Sequence, residues 1–198
     1  TFIGLHPGHP KADLAHYLRG AVYYDRMPDA ARDPRMADLA MQAFREMQRR
    51  FPDSDLAHDA HEKAEQARRR IADHELHVGR YYQRRGHYAA AINRYRGVVD
   101  GFPGTGRVPE ALHRLIECYL ALGVTEEAAS IAGVLLAKHG DSEWSRDSKA
   151  LLAQAGVEAR PPAASPELSA AAGQSSGALA SRSSRRTEAR PDRSARVS

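Results

Sequence analysis

The chain holds a single cysteine, Cys118, among 198 residues. That excludes an internal disulfide framework and a zinc site built from cysteines. Aromatic residues make up only 7%, with one tryptophan, and no stretch approaches 18 consecutive apolar residues, so no segment reads as a membrane-spanning helix. A phosphate-binding loop is missing as well. Gly101-Phe-Pro-Gly-Thr-Gly106 lacks the Lys-Ser/Thr ending and follows a predicted helix rather than a strand. No charged-then-apolar signal segment stands at the start and the chain opens on Thr1, so the expectation is that processing or truncation has removed an earlier start.

Charge is present in quantity, 27% of residues, with a formal net of +4. Its location matters more than its sum. Residues 157–198 carry seven arginines against four acids, while residues 1–156 are almost balanced. After Gly156 the composition turns to Ala, Ser, Pro and Arg, as in Ser181-Arg-Ser-Ser-Arg-Arg186. Such a segment has too little aliphatic surface to offset its ordering entropy, so 157–198 is expected to be a disordered tail and 1–156 the folded domain. No aromatic is interleaved with the tail arginines to stack on bases, and no nucleic-acid partner is expected.

Residues 1–156 show no sustained period-two alternation. Apolar residues recur at three- and four-residue spacing, which predicts an all-α fold with helices over 11–25, 34–51, 54–85, 88–101, 107–122, 125–139 and 142–155. Asp33-Pro34 and Ser54 read as helix starts. Phe51-Pro52 and Phe102-Pro103 read as stops, because the residue before proline is pushed out of the α region. The 54–85 helix is long for a globular domain and is expected to bridge two packing units.

The helices repeat. Counting back from Pro103, a 34-residue tetratricopeptide pattern places Val78-Gly79-Arg80-Tyr81-Tyr82 and Ala91-Ile92-Asn93-Arg94-Tyr95 at its two signature stretches. A second unit lies 37 residues on, with Tyr119, Gly123 and Ala128. An earlier one holds Tyr17, Gly20, Tyr24, Ala40 and Phe44, interrupted by a loop over 25–33. Small residues at Gly79, Ala91 and Ala128 let paired helices approach, and Tyr82, Tyr95 and Tyr119 fill the space between them. The fold expected is a tetratricopeptide-like superhelix of antiparallel helix pairs, whose groove accepts extended segments of other proteins.

No catalytic, cofactor or metal site is expected. His74-Glu75-Leu76-His77 has the wrong spacing for a zincin helix, and His58 and His61 project from nearly the opposite side of the same predicted helix. Cys118, inside an apolar helical run, reads as a buried inert thiol. The more suggestive group is Arg80, Arg84, Arg85, Arg94 and Arg96. These five gather around the middle repeat with Glu75 and Asp100 only at the ends, and arginine suits bidentate contact with a partner's carboxylates.

Several stretches also carry a family resemblance. They are Phe2-Ile3-Gly4-Leu5-His6-Pro7-Gly8-His9-Pro10 with Tyr17-Leu18-Arg19-Gly20, Arg32-Asp33-Pro34, Phe51-Pro52-Asp53-Ser54, His74-Glu75-Leu76 through Arg85-Gly86, and Ala91-Ile92-Asn93-Arg94 before Phe102-Pro103. In order and spacing over about residues 1–140 they resemble the C-terminal portion of the BamD (ComL) family of outer-membrane assembly lipoproteins. The resemblance implies a non-catalytic scaffold of the BAM complex on the periplasmic face of the outer membrane. It implies docking on the POTRA region of BamA, neighbouring BAM lipoproteins, and contact with unfolded outer-membrane β-barrel proteins. It implies a membrane link only through an N-terminal lipid absent from this chain. Arg85 and Arg94 match positions of the family's BamA-docking surface. Two alternatives stand beside it: another periplasmic repeat adaptor of the TolA-binding cell-division type, and polyanion binding through the arginine tail.

Overall fold

The computed structural model describes residues 2–6, 8–27 and 33–161. The expected disorder of the tail beyond 161, and most of the loop over 25–33, lie outside the described residues. Within them the chain forms eight α-helices: α1 (Phe2–Leu5), α2 (Ala12–Tyr24), α3 (Arg35–Arg50), α4 (Ala57–Arg84), α5 (Tyr88–Gly101), α6 (Val108–Ala121), α7 (Thr125–His139) and α8 (Glu143–Ala155). No strand occurs among the described residues. Successive helices pack pairwise through short connections, the stacked hairpins of a tetratricopeptide-like array.

Local chemistry sets the boundaries. Phe51 and Phe102, each followed by proline, leave the helical region at φ −134° and −128°. The Asp33 carboxylate accepts the Arg35 N–H at 2.9 Å, opening α3. Ser54 does not cap α4 as expected. Its hydroxyl donates to Asp13 at 2.7 Å and accepts the Leu56 N–H, and the helix begins only at Ala57. Three helices end in one way. His87, Val124 and Val157 donate their N–H to the carbonyls of Tyr82, Tyr119 and Leu152, across Gly86, Gly123 and Gly156 at φ 74°, 75° and 65°. This is the Schellman closure, which places the glycine in the left-handed region. The first two closures stand 37 residues apart, the repeat offset of the sequence.

Two apolar cores result. In the first, Phe44 and Met47 of α3 pack on Ala60, Ala64 and Ala67 of α4, with Tyr17 and Tyr24 of α2 at the side. In the second, Leu76 of α4, Tyr95 and Val98 of α5, Leu112, Leu115 and Ile116 of α6, Leu135 of α7 and Leu152 of α8 close together. The 28 residues of α4 span about 42 Å at 1.5 Å per residue, and its two halves belong to different cores. Val157 and Ala159, assigned to the tail by composition, pack against the second core. The Arg160 N–H bonds the Ala129 carbonyl at 3.0 Å and its side chain pairs with Glu126. Ordered packing therefore runs past Gly156.

Candidate functional site

Around the middle repeat, α4 and α6 lie alongside each other and exchange polar contacts. Arg80 Nη1 donates to Glu110 Oε1 at 2.7 Å. Gln83 Nε2 donates to Glu117 Oε2 at 2.8 Å, and the same oxygen accepts from Arg114 Nη1 at 2.8 Å. His113 Nε2 lies 3.4 Å from the other carboxylate oxygen, and its Nδ1 sits 2.8 Å from Ser148 Oγ of α8. The Tyr95 hydroxyl of α5 donates to Gln83 Oε1 at 2.7 Å. One connected network thus joins α4, α5, α6 and α8. Burial raises the Glu117 carboxyl's pKa, but the hydrogen bonds from His113, Gln83 and Arg114 outweigh it and hold the group down at about 2. A carboxylate kept charged by three donors fixes the positions of all of them.

Above this network opens a groove of about 600 Å³. Arg80, Arg84 and Arg114 supply its cations, Gln83 and Glu117 its other polar groups, and Tyr88, Leu120, Ala121 and Leu151 its apolar surface. Arg114 stands 5.5 Å from the Trp144 ring centre, which limits its freedom.

The five arginines singled out by sequence do not form one patch. Arg80 and Arg84, four residues apart on α4, line the groove. Arg94 lines a different cleft of about 310 Å³ with Glu75, Tyr82, Ala90 and Asn93, and reaches Glu75 at 3.2 and 3.4 Å. Arg85 lies over the Tyr81 ring at 4.6 Å. Arg96 donates to the Tyr119 hydroxyl at 2.7 Å. The expectation of little acid among them is also corrected, because Arg80 is paired with Glu110, thirty residues along the chain and on another helix. Arg84 alone of the five has no hydrogen bond, ion pair or ring contact among the described residues.

Sequence reasoning missed Glu117, Gln83, Arg114 and Leu151 as groove residues. The 37-residue offset held the clue, since it stacks α6 beside the end of α4. Cys118 is buried as expected, and burial pushes its thiol up to about 12. Among the described residues no three His, Cys, Asp or Glu side chains form a metal-holding group, and no helix is long and apolar enough to cross a membrane.

Comparison with known proteins gives these features a context. Residues 1–135 match the family described as outer membrane lipoprotein, YfiO. The chain is 35% identical over 156 residues to the outer membrane protein assembly factor BamD of Caulobacter vibrioides, covering 79% of this chain and 51% of that protein. Against BamD of Rickettsia prowazekii the identity is 33% over 143 residues, covering 72% and 57%. Against BamD of Neisseria meningitidis serogroup A it is 36% over 144 residues, covering 68% and 54%. The chain spans about half the length of these curated relatives.

Proposed function

We propose a function from one premise: the chain belongs to the YfiO family of outer membrane lipoproteins, to which BamD relatives are its matched neighbours. It serves as a non-catalytic scaffold of the outer-membrane assembly machinery, on the periplasmic face of that membrane. It docks on the POTRA region of BamA and helps β-barrel proteins fold and insert.

The observation that carries the docking surface is Arg94. Its side chain is 44% exposed and held only by long contacts to Glu75, so a partner's carboxylate can recruit it at little cost. Asn93 and Tyr82 flank it in the same cleft, offering an amide and an aromatic edge. Arg85, at the α4 terminus, presents a second guanidinium already stacked on Tyr81. Arginine is well suited to such contacts, and a central desolvated arginine commonly contributes a large share of an interface's affinity.

The test is calorimetric titration of the full chain with the isolated POTRA domains of the cognate BamA. Arg94→Glu is expected to weaken binding by at least about thirtyfold, equivalent to about 2 kcal/mol. Binding indifferent to both Arg94→Glu and Arg85→Glu would move the interface elsewhere. A helical, folded chain that binds no POTRA domain at all would sink the scaffold role.

A further inference from the structure

The face that α2 turns towards α3 is unlike that of the later helices. Each of α3 to α8 buries at least one large apolar side chain, from Phe44 in α3 to Leu152 in α8. The buried residues of α2 are Ala12, His16 and Gly20, so its one large side chain in the seam is an imidazole, 3% exposed. Bare Gly20 lets Phe44 come close, and His16 meets the Phe51 ring at 5.4 Å between centres. The Nδ1 of His16 has no hydrogen-bond partner among the described residues. A neutral imidazole tolerates such a place. An imidazolium brings a charge and a second N–H that both need partners.

We propose that His16 is a proton-operated latch, which holds α2 on α3 while neutral and releases α2 when protonated. The charged groups around it favour release. Arg19 stands one turn along α2, and Arg50 of α3 adds a second cation. Glu46 of α3 is the nearby carboxylate, but it already pairs with Arg19 at 2.5 Å and with Arg50 at 3.0 Å. A charged His16 could take Glu46 only from Arg19, and that pair is itself a tie between α2 and α3. Asp13 accepts from Ser54, and Asp59 of α4 accepts from Lys63 and Tyr17. His9 and Asp53 line a cleft with Arg50 and Phe51 at the same end of the hairpin. Burial first, and then Arg19, hold the imidazole's pKa below its ordinary 6.5. The latch is therefore complete above pH 6.5 and weakens as pH falls from there. Release uncovers Phe44 and Met47, while the core formed by α5 to α8 keeps its own packing.

Hydrogen–deuterium exchange of the full chain at pH 7.5 and pH 5.0, each rate divided by its random-coil value at that pH, reads the latch. The lower pH stays above 4.5, where Glu117 begins to matter. Protection of the α2 amides is expected to fall at least about fivefold at pH 5.0 while that of α6 and α7 holds. His16→Met, apolar and of similar reach, should keep α2 protected at both pH values. His16→Gln, polar but without a titration, should show the same protection at both. The proposal is overturned if α2 keeps its protection at pH 5.0, or if all helices lose it together. It is equally overturned if His16→Met loses protection as wild type does. Should both variants fail to fold, an NMR titration of the wild-type His16 ring decides, and a midpoint at or above 6.5 sinks the latch. Arg85 and Arg94 take no part, so latch and POTRA docking can fail separately.

Discussion

The ring of Tyr95 lies against the bare Cα of Gly79, so that a Cβ on Gly79 would sit 2.8 Å from the Tyr95 Cδ1 and closer still to its neighbour. Tyr95 is wholly buried and its hydroxyl is tied to Gln83, so the ring has nowhere to retreat. Gly20 stands in the same relation to Phe44, at 2.7 Å.

From this follows a contrast between two helical glycines. Gly79→Ala gains the helix-propensity advantage of alanine but overpacks the core, and a net loss of about 1–3 kcal/mol is expected. A Cβ on Gly97, in α5, meets nothing within 4 Å. Gly97→Ala should therefore stabilise by about 0.5–1 kcal/mol. Urea unfolding of both variants beside wild type checks the sign of each.

The two α4 arginines that line the groove should behave differently. Arg80→Ala leaves the carboxylate of the buried Glu110 without its short partner and is expected to cost about 1–2 kcal/mol. Arg84→Ala breaks no hydrogen bond or ion pair among the described residues and should stay within about 0.5 kcal/mol of wild type. Thermal denaturation of the pair separates them.

Glu117 sets an acid limit. Its folded pKa of about 2 lies below its ordinary value of 4.5, so the folded state favours the charged form. That contribution is complete above pH 4.5 and is lost as pH falls from there towards 2. Asp13, Glu46 and Asp59 are shifted down by their hydrogen-bond donors and act in the same sense. In Glu117→Gln the decline in stability over this window should be shallower, measured as urea midpoints at steps of pH.

Cys118 should resist modification in the native protein. Burial raises its thiol and leaves it no exposed surface, so an aromatic disulfide reagent at pH 8 is expected to react only at the rate of unfolding, and promptly in denaturant. Fast labelling of folded protein would contradict the packing of α6.

Much of the fold was legible in the chain. The Phe-Pro stops, the small-large pairing of Gly79 with Tyr95 and the 37-residue offset are local or periodic signals, and they place α2 to α8 to within a few residues, whereas the single turn of α1 was not expected. The arginines were not legible in the same way. Whether Arg80 is free depends on Glu110, which meets it only because α6 stacks beside α4, and a window around the middle repeat cannot show that. His16 and His113 were missed for the same reason, since both are buried by helices distant in sequence. The order of Val157 was readable in principle. Gly156-Val157 repeats the glycine-closed ending of Gly123-Val124, but the tail's composition outweighed that cue.

One helix serving two cores has a consequence for how this protein can change. Repeat arrays ordinarily gain and lose whole units at the joints between hairpins. Here a crossover between residues 67 and 76 would bisect α4 and leave Ala60, Ala64 and Ala67 on one product and Leu76 and Gly79 on the other. Neither product would keep both faces of the helix covered. Insertion, deletion and chimera building are thus confined to the flanking turns, and α4 is inherited as one indivisible piece.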